Sequence, residues 1–234
     1  MSDKHLSTQF DAELSSISTR VLEMGGLVEQ QVAAAVDALA TFSEAQATQV
    51  IRNEERVNQL EIEIDRDLSN IIARRQPTAR DLRLLIGVSK TIGNLERVGD
   101  EAARIARTTH RLIASSTHGR HFPTTAMVVE ANMANASLRR ALDAFARLDI
   151  NLAMQVIRSD NEIDAEFDGL LRKLVTYMME DPRTISASID LVFVAKALER
   201  VGDHAKNLAE QVIYIVKGAD VRHTPPDGLE SAVS

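Results

Sequence analysis

The sequence predicts an all-α protein of two tandem three-helix bundles, with six long helices in total, related by an internal pseudo-twofold repeat. Glycine and proline are scarce, with 10 and 5 residues in 234. Apolar residues recur at intervals of three and four rather than two, as they do on one face of a helix. The segment Glu-Arg-Val-Gly-Asp at 96–100 recurs unchanged at 199–203, which indicates that one structural unit was built twice.

Three helices are predicted in the first half of the chain. The apolar stripe of the first helix covers residues 17–39, and that of the second covers residues 50–71. The second helix is expected to end near Pro77, because proline biases the residue before it away from helical angles. Thr78 is the expected N-cap of the third helix, with Asp81 three positions further on in an approximate capping box.

A segment of small and polar residues then interrupts the helical periodicity and predicts a linker. We therefore place the first three-helix unit at residues 1–116, the linker at 117–123 and the second three-helix unit at 124–218. Residues 219–234 contain a Thr-Pro-Pro-Asp-Gly turn sequence and are expected to form a flexible tail.

The two units align with each other over most of their length. A shift of 106 positions places Gln49-Val50-Ile51-Arg52 on residues 155–158. The two Glu-Arg-Val-Gly-Asp segments are only 103 positions apart, so the second unit has lost three residues, most simply at the turns around Pro77 and Pro182. Asp181 before Pro182 is typical of an N-cap followed by proline at the first helical position.

Composition excludes several classes of function. Lys and Arg number 27 and Asp and Glu 34, which gives a net charge of −7, and a nucleic-acid backbone would meet a repulsive average surface. Only 3% of residues are aromatic, so stacking platforms for single strands are missing. The absence of cysteine excludes disulfides and thiolate metal sites and suits a reducing cytoplasm. With no run of 18 apolar residues, we expect a cytoplasmic protein that reaches membranes only through partners.

The repeated segment carries paired carboxylates: Glu96 with Asp100, and Glu199 with Asp203. Residues four apart on a helix stand on nearly the same face, about 6 Å apart along the axis. We call each pair a carboxylate clamp. Like charges at this spacing weaken a helix by about 0.2–0.5 kcal/mol, and the intervening glycine costs about 0.8–1 kcal/mol relative to alanine. An unfavourable arrangement that occurs twice favours a functional site over a solvated helix face with an incidental glycine.

A second set of polar residues accompanies the clamps. The self-alignment places Glu54 and Asn58 of the first unit on Asp160 and Asp164 of the second. If the second and third helices of each unit are antiparallel, each bundle offers oxygen ligands from two helices. Such ligands suit magnesium, manganese, iron or calcium, with zinc possible. Without a cation these carboxylates would repel one another and their pKa values would rise.

Histidine is not expected to be a ligand here. Ferritin-like di-metal centres use a Glu-x-x-His pair, and neither clamp has one. His204 follows Glu199 by five positions and is interpreted as a hydrogen-bonding neighbour of the second clamp. His118 and His121 lie in the predicted linker and are interpreted as exposed bystanders.

No enzyme signature stands out. A phosphate-binding loop, a dinucleotide fingerprint and a nucleophile elbow are all missing from the sequence. Four arginines surround Pro77 and would suit a phosphate or an acidic partner, but helix-end arginines ordinarily offset the helix dipole or stay solvated, and we favour that interpretation for Arg74, Arg75, Arg80 and Arg83.

Together these segments resemble the PhoU family, the accessory proteins of the bacterial phosphate-specific transport system. The resemblance rests on the two Glu-Arg-Val-Gly-Asp segments, each late in a third helix, and on residues 24–31, 73–83 and 176–181. It extends from about His5 to His223. The resemblance implies a non-enzymatic negative regulator of the phosphate-starvation response that also modulates phosphate uptake.

The resemblance further implies partners and ligands. The implied partners are the sensor histidine kinase of that response and the ATP-binding subunit of the phosphate transporter, between which the protein would act as an adaptor, and a homodimer is implied as well. Family members bind metal clusters through Glu/Asp-x-x-x-Asp motifs, and Asn58 departs from a carboxylate. By position, the metal role falls on Glu96, Asp100, Glu199 and Asp203, supported by Asp160, Asp164 and Glu54.

Three alternatives stay open at this point. A metal-dependent enzyme, either a phosphohydrolase or an oxidase, would use the same carboxylates. A metal-free structural oligomer would leave the clamps without ligands. A DNA-binding repressor is the weakest alternative, because the net charge is wrong and no compact helix-turn-helix stands out.

Overall fold

A computed structural model describes residues 8–115 and 124–233 of the chain. These ranges contain six long helices and no strand, which confirms the all-α prediction. The predicted linker, with His118 and His121, lies outside the described residues. In the described ranges no helix has the length and apolar character of a membrane span. The helices are α1 (Thr8–Thr41), α2 (Glu44–Arg75), α3 (Ala79–Ala114), α4 (Thr124–Arg147), α5 (Ile150–Glu180), α6 (Ile185–Lys217) and a short α7 (Leu229–Val233).

The six long helices form two bundles that share one core. Helices α1, α2 and α3 pack on one another, as do α4, α5 and α6. The bundles meet most extensively where α3 lies along α6, and also where α1 contacts α4. The core is aliphatic, as the low aromatic content requires, and it forms one hydrophobic cluster that draws residues from both bundles.

The turn between α1 and α2 has the same form as the turn between α4 and α5. Phe42 and Leu148 adopt left-handed backbone angles, with φ of 52° and 51°. The residues that follow, Ser43 and Asp149, are N-caps whose side chains accept hydrogen bonds from the backbone N–H three positions on, at 3.4 and 3.1 Å. Each helix therefore begins with one of its unpaired N–H groups satisfied.

The other two hairpins differ from each other. Thr78 holds the predicted N-cap position of α3, but its side chain makes no capping hydrogen bond. Asp181 accepts a hydrogen bond from the backbone N–H of Arg183 at 3.0 Å. Pro182 opens the short 3₁₀ turn that leads into α6, so the predicted Asp-Pro start is present one turn before the α-helix.

The C-terminal segment differs from the flexible tail that the sequence predicts. Val221 and Leu229 are buried in the core, with exposures of 2% and 0%. Arg158 of α5 forms an ion pair with Glu230 at 2.8 Å. The two buried apolar side chains thus pack the C-terminal segment against the core, although its turn-forming residues predict a flexible tail.

The contact between α1 and α4 depends on a glycine. A Cβ added at Gly25 would overlap the buried side chain of Leu142 on α4, whereas a Cβ at the next residue, Gly26, would meet nothing within 4 Å. The two adjacent glycines of one helix therefore have opposite environments.

We expect Gly25→Ala to be less stable than Gly26→Ala by about 1–3 kcal/mol. Both variants gain the helix propensity of alanine, but only the first overpacks the contact between the bundles. Urea unfolding of the two proteins measures the difference. Equal stability would show that Leu142 moves aside at no cost.

Candidate metal centre

Each carboxylate clamp lies where a β-branched residue of the preceding helix packs against the glycine of the clamp. A Cβ on Gly99 would lie 3.2 Å from Val57 of α2, and one on Gly202 would lie 2.8 Å from Ile163 of α5. The absence of a side chain lets α2 approach α3, and α5 approach α6, at the level of the acids. The glycines that weaken the helices locally thus bring the second and third helices of each bundle together.

In the second bundle the structure brings all four predicted acids into one electrostatic site. Burial, followed by the negative charges of Glu199, Asp160 and Asp164, raises the pKa of Asp203 to about 6. The pKa of Asp164 is raised by burial and then by Asp160 and Glu199. We call these four residues the second acidic site.

Two lysines partly neutralise the second acidic site. The Nζ atom of Lys206 lies 2.7 Å from Asp160, and that of Lys196 lies 2.5 Å from Glu199. Sequence reasoning missed both lysines, although each stands three positions from a clamp acid of α6, a spacing that places side chains on one helix face. Four carboxylates therefore face two ammonium groups.

The first bundle has a smaller acid cluster with an unexpected member. The pKa of Glu96 is raised by burial and then by the charges of Asp100 and Glu61, with Glu54 the weakest contributor. The pKa of Glu61 is itself raised by burial, Asp65 and Asp100. We call Glu61, Glu96 and Asp100 the first acidic site.

Glu54 is differently engaged. Its carboxylate forms an ion pair with Arg107 of α3, so it is less available to the clamp than the alignment suggests. Glu61, which replaces it beside the clamp, was missed in the sequence but lies seven positions after Glu54, on the same face of α2. The side-chain oxygen of Asn58 is buried and has no hydrogen-bond partner among the residues that the structure describes.

A cleft of about 890 Å³ separates the two sites. Its walls, from α3, α6 and the C-terminal segment, include Glu96, Asp100 and Asp203, so acids of both clamps face the same space. Arg97 and Arg200 line it as well. At least one acid of each clamp is consequently accessible from the cleft between the bundles.

His204 also lines this cleft but does not bind the second clamp. Its Nδ1 atom lies 3.1 Å from the side-chain oxygen of Asn94 on α3. Burial and the charges of Arg97 and Arg200 lower its pKa to about 4, so the ring is neutral near pH 7. The His204 side chain therefore forms a hydrogen bond that links the two bundles.

The carboxylate oxygens of the two acidic sites are the type of ligand that a hard cation prefers. Their side chains, however, do not converge on a single point. Among the described residues no three acidic or histidine side chains converge closely enough to hold a metal ion. Within the described ranges, one carboxylate oxygen of Glu199 is nevertheless buried without a hydrogen-bond partner, a condition that costs about 1–3 kcal/mol. Carboxylate oxygens are the ligands that magnesium, manganese and calcium prefer, and small side-chain rotations would be needed to gather them.

One buried acid escaped the sequence reasoning entirely. Glu130 of α4 is fully buried, and both of its carboxylate oxygens lack a hydrogen-bond partner in the described part of the chain. Burial, with the charges of Glu166 and Glu199, raises its pKa to about 8. The apolar pattern of α4 does not reveal Glu130, because a charged residue is not expected at a position that faces the core.

Known proteins resemble this chain in both sequence and structure. The chain is 51% identical to the phosphate-specific transport system accessory protein PhoU homolog of Burkholderia sp, over 98% of this chain and 97% of that protein. It is 43% identical to the phosphate-specific transport system accessory protein PhoU of Escherichia coli K12, over 99% and 95%. These relatives are named as accessory proteins, not as enzymes.

Solved structures agree with the sequence comparisons. PhoU from Pseudomonas aeruginosa superposes with a TM-score of 0.84 at 44% identity, covering 89% of this chain and 99% of that one. The phosphate transport system regulatory protein PhoU from Streptococcus pneumoniae gives 0.83 at 25% identity, over 91% and 99%. The sequence pattern of the PhoU domain matches residues 21–109 and 129–212. The chain therefore belongs to the PhoU domain family.

Proposed function

We propose that this protein is a negative regulator of the phosphate-starvation response and a modulator of phosphate uptake. It acts in the cytoplasm as a homodimeric adaptor between the ATP-binding subunit of the phosphate transporter and the sensor histidine kinase, and it reaches the membrane only through them. The names of its relatives support the link to phosphate transport. Catalysis is not part of the proposal.

The observation that carries the metal part of the proposal is the second acidic site. The negative charges of Glu199, Asp160 and Asp164 act on Asp203 across two adjacent helices, while two lysines supply the nearby positive charge. Such an excess of negative charge favours binding of a divalent or trivalent cation, for which iron, manganese, magnesium and zinc are the candidates. In the first bundle Glu61, Glu96 and Asp100 would hold the cation, with Glu54 in support.

A bound cation supplies the positive charge that the clustered acids lack. The acids of α5 and α6 then stay together without mutual repulsion, as do those of α2 and α3. Since Glu96, Asp100 and Asp203 line the cleft between α3 and α6, their charge is proposed to act also at the contact between the bundles. The partner-binding surface is proposed to depend on this arrangement.

The regulatory role is tested in a strain that lacks this chain. We expect genes for phosphate scavenging to be expressed in rich phosphate, because the restraint is lost, and reintroduction of the chain to repress them. A variant with alanine at Glu96, Asp100, Glu199 and Asp203 is expected to bind less metal and to fail to repress. A reporter of those genes and elemental analysis of protein purified without chelator give the two readouts.

A matched control removes the same number of acids outside both sites. Each of its four residues is exposed, and this variant should keep wild-type metal content and repression. Full repression and unchanged metal content in the clamp variant would contradict the proposal. The control carries alanine at Glu23, Glu55, Asp168 and Glu180.

The charge of the second acidic site also predicts a pH dependence of stability. Asp203 has a pKa of about 6 in the folded chain, against an ordinary value of 3.8 for an aspartate. The folded state therefore holds the proton more tightly, and the stability this contributes is present at low pH and is lost as the pH rises from about 4 through 6.

We expect Asp203→Asn to stabilise the chelator-treated protein at pH 7.5 by about 1 kcal/mol, a value reduced because solvent screens a half-buried group. The variant should also lack part of the fall in stability between pH 4 and 7. Urea unfolding at a series of pH values measures both effects, with Asp168→Asn, at an exposed position of α5, as the control. A variant less stable than wild type at pH 7.5 would show that Asp203 is already well compensated by its neighbours.

A further inference from the structure

The interior of the second bundle contains an acid that the fold does not need. Glu130 lies on the core-facing stripe of α4, between the buried residues Met127, Ala131 and Ala134. Its side chain has 0% exposure, and neither carboxylate oxygen has a hydrogen-bond partner in the described part of the chain. A carboxyl group in this environment needs something to interact with its oxygens.

Two further carboxylates act on Glu130 from the neighbouring helices. They are Glu166 of α5 and Glu199 of α6. One oxygen of Glu199 accepts a hydrogen bond from Lys196, and the other is buried with no partner in residues 8–115 and 124–233. The ammonium group of Lys196 also lies 5.3 Å from the ring centre of Phe167. Three buried oxygens of Glu130 and Glu199 thus remain without a donor.

The first bundle provides an internal comparison. At the positions that the self-alignment matches to Glu130 and Glu166 it has Met24 and Leu60, and both are buried in the hydrophobic core. Only Glu96, the counterpart of Glu199, is acidic there. Apolar side chains therefore fill this layer in one bundle, while carboxylates occupy it in the other.

We propose that Glu130, Glu166 and Glu199 bind one divalent cation of the magnesium or manganese type inside the second bundle, at a site that the first bundle lacks. A proton shared between Glu130 and Glu199 would serve two of the three oxygens and leave the third without a donor, and a water molecule donates only two hydrogen bonds. A cation interacts with all three and offsets the negative charge of the cluster. The proposal rests on the proposed function in that Glu199 also belongs to the second acidic site.

Binding requires side-chain movement. In the described residues the three carboxylates do not yet converge at ligating distance. Glu166 is partly exposed and Glu130 is fully buried, so rotation of Glu166 toward the core would complete the set. Magnesium and similar hard cations bind a few carboxylates and keep water molecules as their remaining ligands.

The test counts Mn²⁺ bound by the full chain at pH 7.5 after chelator treatment, using electron paramagnetic resonance of the free ion. We expect Glu130→Gln and Glu130→Met each to lose one Mn²⁺ per chain relative to wild type. Glu130→Gln keeps the shape of the side chain, and Glu130→Met copies the residue of the first bundle. If either variant folds, with wild-type circular dichroism, and binds as many Mn²⁺ ions as wild type, the proposal is overturned.

A second readout separates a cation site from a buried protonated acid. Without metal, Glu130→Met should have a higher melting temperature than wild type, and added Mn²⁺ should raise that temperature less than it raises the wild-type value. A variant whose melting temperature responds to Mn²⁺ as wild type does would contradict the proposal.

Asp203→Asn distinguishes this inference from the proposed function. If Asp203→Asn loses Mn²⁺ while both Glu130 variants keep it, the interior site is wrong and the second acidic site stands. If the Glu130 variants lose an ion and Asp203→Asn does not, the interior site stands and the acidic site fails. A wild-type chain that binds no Mn²⁺ would overturn both for this class of ion.

Discussion

The antiparallel packing of α3 against α6 is the constraint on which the acidic sites depend. Each of these helices carries one clamp, and contacts along their length fix their register. Glu101 of α3 pairs with Arg200 of α6 at 3.2 Å, and Asn94 contacts His204 and Asn207. Because this register is fixed, acids from both clamps line one cleft between the bundles.

The two bundles share a backbone plan but have different electrostatics. Val57 on Gly99 and Ile163 on Gly202 make equivalent contacts, and the α1–α2 and α4–α5 turns have matching angles. Their acid clusters nevertheless differ in number and in compensation by lysine. Among the described residues, a fully buried glutamate with no hydrogen-bond partner on either carboxylate oxygen, Glu130, occurs in the second bundle. If both sites bind cations as proposed, these differences predict that they respond to different cation concentrations.

Helix periodicity and the repeated motif are sufficient to predict the six helices and the proximity of the second clamp to Asp160 and Asp164. The turns at Phe42 and Leu148 were not predicted, since their left-handed residues are not glycine. Glu61 and the two lysines were recoverable from helix spacing, whereas the burial of Glu130 depends on which face α4 turns inward. The packed C-terminal segment shows that turn-forming residues do not establish flexibility when buried apolar side chains accompany them.

The central claim is that clustered carboxylates of α2 with α3, and of α5 with α6, form cation sites. Anomalous diffraction at the manganese edge from crystals soaked in Mn²⁺ tests it most directly. The account predicts peaks within ligating distance of Asp100 in one bundle and of Asp203 in the other. Diffraction that shows no peak beside either clamp, with Lys196 and Lys206 still paired to Glu199 and Asp160, would contradict it.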